Sequence, residues 1–367
     1  MPLESIGYVV SFRDELNEDE VALDVDALAR RNAKLRRENS TLRRQLDQSD
    51  AKTEELTRFL DFHDAITAAD TRPPKWLTPK KPRGKHHATL VAILSDTHFD
   101  EVVNPDEVGG LNAYNRVIAT QRLERWAEGV IKLARHYLTG VTYDGAVVML
   151  GGDMFTGTLH DLAETNEDTL FGSLLYWSEQ IAAALQMIAD EFGKLHVPVV
   201  VGNHGRLTRK PRTKQRARDN LDYLLGHMLA RQLRSDSITF DITDGTDCWV
   251  PVYGITHLLT HGDQTTGGGG IGGIWSPIMR MSARKAQRYA AEGRTFDTMV
   301  MGHWHQLISA PEQGLIVNGS LKGYDEYAAV SNFRPEQAQQ ALWLVTPERG
   351  ITLSAPVMVT DRKKEGW

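Results

Sequence analysis

Eight side chains of types that hold metals stand at the ends of five short apolar runs. They are Asp96 and His98 in VAILSDTH, Asp153 in AVVMLGGD, Asn203 and His204 in PVVVGNH, His261 in HLLTHGD, and His303 and His305 in TMVMGHWH. Any one of them alone reads as an ordinary loop or buried polar residue; five such endings in series form a pattern. Asp, His and Asn without cysteine offer oxygen and imidazole donors, which suit hard or borderline metals such as Mn, Fe or Zn rather than thiolate sites.

The elements that must position these residues follow from the apolar runs. Short apolar, β-branched runs bounded by Gly read as buried strands. In open α/β sheets ligands bind beyond the carboxyl ends of the strands, so the eight side chains are expected to converge on one edge of a sheet. Strands are expected at Leu90–Leu94, Ala146–Leu150, Val197–Val201, Ile238–Asp241, Cys248–Tyr253 running into Leu258–Thr260, and Met299–Met301. The tail alternates at Leu315–Val317, Leu342–Val345 and Ile351–Leu353. Apolar positions at helical spacing mark 113–137, Leu170–Phe192, 217–233 and 278–291. That order predicts a layered α/β domain with a mixed sheet closed by C-terminal strands.

The chain has 367 residues, 41% hydrophobic and 25% charged, an ordinary composition for about two globular domains. A net charge of -6 excludes a uniformly basic nucleic-acid coat, so any such binding must be local. Cys248 is the single cysteine, so no intrachain disulfide can form. The start, MPLESIGYVV, lacks a basic segment followed by an apolar one, and no apolar stretch approaches the ~20 residues of a membrane helix. A cytoplasmic protein without membrane partners is expected.

Residues 1–24 form an acidic N-terminal segment. Residues 25–66 carry a heptad: with Val25 at position a, Leu28, Leu35 and Leu42 fall at d and Asn32 and Asn39 at a; the pattern lapses at Ser49 and Thr53 and resumes at Leu56 and Leu60. Leu at d with Asn at a specifies a parallel two-stranded coiled coil, so a homodimer is expected. Residues 67–87 read as a linker, with four prolines and many cations in TRPPKWLTPKKPRGKHH, which Trp76 and Leu77 dock onto a domain. The globular domain spans 88–367. The glycine cluster Gly267–Gly273 fits neither P-loop nor Rossmann spacing and is read as a loop over the site.

The ordered set DxH, GD, GNH, a His before Gly, and GHxH, over roughly residues 88–325, resembles the calcineurin-like metallophosphoesterases. The resemblance implies a four-layer α/β/β/α sandwich, here preceded by the coiled-coil helix, with two divalent metal ions between the sheets: Mn first, with Fe, Zn or Mg as alternatives. Carried over by position, Asp96, His98 and His305 would hold the first metal and Asn203, His261 and His303 the second, with Asp153 bridging them. His204 would approach the scissile phosphate. The implied activity is phosphoester hydrolysis by in-line attack of a metal-bridging hydroxide, with His204 stabilising the transition state or protonating the leaving oxygen. Two positions depart from the family pattern: Gly205 and Thr156 stand where many relatives carry an acid or His that could orient this histidine. His160 and Asp161 are candidate partners for His204, and His160 also for substrate.

Seven cations and no acid lie between Arg206 and Arg218, beginning two residues after His204. Such a strip beside a phosphate-cleaving centre points to a polyanion, with backbone phosphates held by Lys and Arg. Arg206 is the first candidate for substrate phosphate and for a catalytic contact; Arg209, Lys210 and Arg212 follow. Asn112, Asn115 and Arg116 are further candidates at the mouth. A nuclease acting on DNA is therefore the leading expectation, resembling the Mre11/SbcD-type branch of the family, with a third motif similar to those of phage-borne members. The alternatives are a phosphodiesterase for small molecules such as cyclic nucleotides, which needs a compact pocket, and a coiled-coil-tethered binding protein with little or no activity.

Overall fold

The computed structural model describes residues 18–67, 74, 77, 86–157, 166–265 and 273–366. The chain divides into two units, residues 1–70 and 71–367. The first contains helix α1, Glu18–Thr67, of 50 residues. It has no Pro or Gly to interrupt it, and at ~1.5 Å per residue it is about 75 Å long. Val25, Leu28, Leu35, Leu42, Leu46, Leu56 and Leu60 are all exposed on it.

In the second unit the order is β1 (His87–Leu94), α2 (Arg116–Lys132), β2 (Thr142–Leu150), α3 (Leu170–Phe192), β3 (Leu195–Val199), α4 (Leu221–Gln232), β4 (Ile238–Ile242), β5 (Asp247–Val252) and β6 (Ile255–Thr260). Then come α5 (Trp275–Ala291), β7 (Thr298–Met301), β8 (Ile308–Ala310), β9 (Leu315–Val317), α6 (Glu326–Val330), β10 (Gln339–Thr346), β11 (Gly350–Met358) and α7 (Arg362–Glu365). Two mixed sheets result. One has the order β11-β10-β1-β2-β3-β4, parallel from β1 to β4, with β10 and β11 added antiparallel. The other has the order β5-β6-β7-β9-β8, parallel across β6, β7 and β9.

The period-2 geometry of strands sorts the apolar side chains. Leu90, Ala92 and Leu94 of β1 and Ala146, Val148 and Leu150 of β2 pack with α2, α3 and α4 in one cluster. Their alternates Val91, Ile93, Val147 and Met149 pack with Val250, Leu259, Val300 and Ile316 of the second sheet. A third cluster joins Ile278 and Met281 of α5 to Met299, Met301 and Val317. Strands buried on both faces explain why these runs are continuously apolar.

Most boundaries match the sequence expectation within a few residues, and the shifts have local causes. Helix α2 starts at Arg116 because the Asn115 side chain accepts from Ile118 N, and it runs into a π-helical turn at Leu133–Tyr137. Strand β3 ends at Val199, two residues before the apolar run does, because Val200 and Val201 already belong to the turn that carries the GNH motif. Strand β8, too short for a periodic signal, was not expected. Leu77 docks as expected: it is buried in the inter-sheet cluster, and its carbonyl accepts from Tyr253 N. Trp76 and nearly all of the glycine cluster lie outside the described residues.

Candidate metal centre

All eight ligand-type residues sit just past the carboxyl ends of parallel strands, but of two sheets rather than one. Asp96, His98, Asp153, Asn203 and His204 follow β1, β2 and β3; His261, His303 and His305 follow β6 and β7. The strand ends bring them together because the two sheets share the central apolar cluster. The chain bends sharply there. Asp96, His98, Asp153, His303 and His305 all have left-handed φ, between 45° and 68°. Such conformations cost non-glycine residues about 1–3 kcal/mol each and cluster at functional sites. Gly302 has no room for a side chain: a Cβ would lie 2.1 Å from Asp96 Oδ2.

The side chains form three overlapping groups: Asp96, His98 and His305; His98, Asp153 and His204; and Asp153, His261 and His303, with one donor atom from each lying within 4.8 Å of the others in its group. His98 Nε2 and His305 Nε2 face each other at 3.1 Å, with Asp96 Oδ1 3.3 Å from the latter. His261 Nε2 lies 2.9 Å from Asp153 Oδ2 and 3.2 Å from Asn203 Oδ1. His98 and Asp153 each belong to two of the groups and so link all three. Apart from His305, which is partly exposed, and the half-buried Asn203, His204 and His303, the set is buried. Imidazole nitrogens and carboxylate oxygens crowded together without thiolates fit divalent cations.

A second set of residues holds these in place. Asp222, at the start of α4, accepts from the backbone N–H groups of Asp153 (3.0 Å), Met154 (3.2 Å) and Gly202 (2.9 Å), tying the second and third motifs together. Burial, reinforced by Asp153, raises its pKa to about 6. Asp96 accepts from Ser95 Oγ at 2.5 Å and from His303 N at 2.8 Å. His261 Nδ1 donates to the Gly151 carbonyl at 2.9 Å. Burial works against charging His261, but Asp153 outweighs it and lifts the pKa to about 10. Glu101 lies 3.6 Å from His98 Nδ1, accepts from Thr156 Oγ1 at 3.0 Å and pairs with buried Lys322 at 2.7 Å; Lys322 also pairs with Asp325. Burial, with Lys322 nearby, pushes His98 well below the usual histidine range. Sequence reading missed Glu101, Asp222 and Lys322. Glu101 carried a weak signal, being three residues after His98; an acid in a first helical turn and a lone Lys carry none.

His204 Nδ1 lies 3.2 Å from the Thr156 carbonyl oxygen, and its backbone N–H donates to Asp153 Oδ1 at 2.7 Å. Gly205 is explained by space, since a Cβ there would meet Asn220 Oδ1 at 2.5 Å and Asp222 Oδ1 at 3.2 Å. His160 and Asp161 lie outside the described residues.

The basic strip is largely committed to its own surroundings. The Arg206 guanidinium donates to the Asn203 and Thr208 carbonyls. Arg212 pairs with Asp219, Arg216 with Asp263, and Arg218 with Asp244. Arg209, Lys210 and Lys214 are exposed and make no ion pair with a described residue. Of the other candidates, Asn115 caps α2, Arg116 pairs with Asp100 and Asp168, and Asn112 donates to the Lys322 and Tyr324 carbonyls. A cavity of about 690 Å³ opens on His98, Asp153, Asn203 and His204, and its far wall comes from residues 322–336, not from the strip. The crevice along Arg206, Arg212 and Arg216 holds only about 10 Å³.

No protein-family model matches this chain, and no curated protein matches it in sequence. Among solved structures it is similar to a predicted phosphoesterase from Streptococcus pneumoniae, at 12% identity over 73% of this chain and 97% of that one, with a TM-score of 0.26. It is similar to vacuolar protein sorting 29 from Cryptosporidium parvum, at 13% identity over 73% and 96% with a TM-score of 0.30. A third is Vps29 from Entamoeba histolytica complexed with zinc, at 15% identity over 74% and 99% with a TM-score of 0.28. Likeness this distant transfers no activity, and nothing in it supports a nuclease branch or a phage origin.

Proposed function

We propose that this chain is a divalent-metal-dependent phosphodiesterase. The observation that carries the reading is the meeting of seven ligand-type side chains, from five separate motifs, in overlapping groups linked through His98 and Asp153. Asp96, His98 and His305 would hold one ion, Asn203, His261 and His303 a second, and Asp153 both. The three apolar clusters support the four-layer order of the calcineurin-like fold. Ions held by such donors lower the pKa of water and neutralise phosphate charge. The protein's own part is positional. Asp222 and the Ser95–Asp96 contact fix the ligand loops, and burial dries the floor of the site. The Thr156 carbonyl orients His204, whose Nε2 would deliver a proton to the leaving oxygen.

The compact cavity favours a small phosphodiester over a long polynucleotide. The nuclease reading keeps one observation in its favour, the three exposed cations Arg209, Lys210 and Lys214, which make no ion pair with a described residue. The exposed heptad leucines of α1 support a parallel homodimer.

The test is hydrolysis of bis(p-nitrophenyl) phosphate by the full chain with Mn, Fe, Zn or Mg. Activity with Mn is expected, and silence with all four would sink the enzyme reading. Asp153→Asn should remove that activity together with bound metal; an unchanged rate would take Asp153 out of the bridging role. A panel of single- and double-stranded DNA, RNA and cyclic nucleotides then separates the two substrate readings.

A further inference from the structure

The cavity wall formed by residues 322–336 supplies none of the candidate metal ligands, yet it is built as if to hold something. It is anchored to the scaffold at both ends. Asn112 Nδ2 donates to the carbonyls of Lys322 (2.9 Å) and Tyr324 (2.7 Å). Asp325 caps α6 by accepting from Ala328 N at 2.8 Å, while its other oxygen pairs with Lys322. Glu326 accepts from Asn104 N and Glu336 from Leu307 N, each at 2.7 Å. The acids of the wall are thus engaged with the scaffold.

Between these anchors the wall exposes apolar rings. Tyr327 is 62% and Phe333 48% exposed, with ring centroids 6.0 Å apart at 74°. Trp304 and Tyr324 line the same cavity. Arg334, beside Phe333, is exposed and makes no ion pair with a described residue, unlike Arg212, Arg216 and Arg218. Four aromatic rings outweigh the aliphatic Ala328 and Val330, so the lining suits a planar ring better than an acyl chain. Aromatic faces that stack bases, with arginine nearby, are the common way to hold a nucleobase without reading its identity. A volume of about 690 Å³ lies in the range of small-ligand sites, about 300–1,000 Å³.

We infer that Trp304, Tyr324, Tyr327 and Phe333, with Arg334, form a subsite for the base of a nucleoside phosphate ester whose phosphate sits at the candidate metal centre. The phosphate half of this inference rests on the phosphodiesterase reading; the base half does not. Equilibrium dialysis of the metal-loaded full chain against thymidine 5′-monophosphate and methyl phosphate tests it. The nucleotide should bind about tenfold tighter or better, and Tyr327→Ala with Phe333→Ala should erase that preference while leaving methyl phosphate binding unchanged. Because both rings are exposed, the variants should keep the wild-type circular dichroism, and Phe333→Trp should retain the preference. Equal binding of the two ligands, or a preference that survives loss of both rings, would overturn the subsite. Hydrolysis of thymidine 5′-(p-nitrophenyl phosphate) and of methyl p-nitrophenyl phosphate is measured alongside. Preference in binding without hydrolysis of either ester supports the subsite and overturns the phosphodiesterase reading; hydrolysis of both without preference for the nucleoside does the reverse.

Discussion

At the scale of single residues, the candidate ligand set stood out because each member follows a strand within a few positions, and strands announce themselves by apolar runs. What holds the ligands was not legible. Asp222 is 69 residues from Asp153, and nothing in its neighbourhood marks it as the acceptor for three backbone N–H groups of the ligand loops. Asp222→Asn turns part of that acceptor into a donor. Metal affinity should fall about 10–100-fold, the usual effect of losing a residue that orients a ligand. Metal titration of the purified variant would show it, and wild-type affinity would make Asp222 merely structural.

At the scale of elements, the C-terminal helix α7 fastens the segment that leads into the cavity wall. Its Glu365 carboxylate is fully buried and pairs with Arg122 at 3.0 Å and Arg125 at 2.5 Å. Arg122 in turn donates to the Leu321 and Lys322 carbonyls. Removing one partner of a buried pair leaves a charge uncompensated and costs about 3–5 kcal/mol. Glu365→Ala should lower stability by about that amount in urea denaturation; a shift below about 1 kcal/mol would mean water reaches Arg122. Helix α1 invites a different test. If its exposed leucines pair two chains, Leu35→Glu with Leu42→Glu should convert a dimer to a monomer in sedimentation velocity. A wild-type chain that already sediments as a monomer would remove the zipper.

At the scale of the whole molecule, a buried hydrogen bond joins the two sheets: Trp343 Nε1 of β10 donates to His257 Nε2 of β6 at 3.1 Å, and His257 Nδ1 donates to the Val250 carbonyl at 3.2 Å. That arrangement needs a neutral imidazole. Burial lowers the pKa of His257 from 6.5 to about 4, and that of His196 in β3 likewise. Between these values the unfolded chain binds more protons than the folded one. Stability is therefore fully present above pH 6.5 and falls as pH drops toward 4, by up to about 1.4 kcal/mol per unit for each histidine. Asp222, raised to about 6, acts in the opposite sense and offsets part of this. His257→Gln should flatten the slope of stability against pH by about one proton between pH 6 and 5; an unchanged slope would show that His257 is protonated in the fold.

The apolar runs and the residues that follow them already carry the chemistry on offer: which residues could hold metals, that they follow strands, and that strands alternate with helices. Those signals are local, since period-2 alternation and a following Gly, Asp or His lie within one short stretch. It took the tertiary structure to show that two sheets share the candidate ligands, that His98 meets His305 across 207 positions, and that His204 Nδ1 meets the Thr156 carbonyl. The structure also shows that four of the seven strip cations are already engaged, and that the cavity wall comes from a segment without any sequence motif. Pairing between distant residues depends on how strands order and sheets stack, and a run of side chains cannot state what will be packed against it.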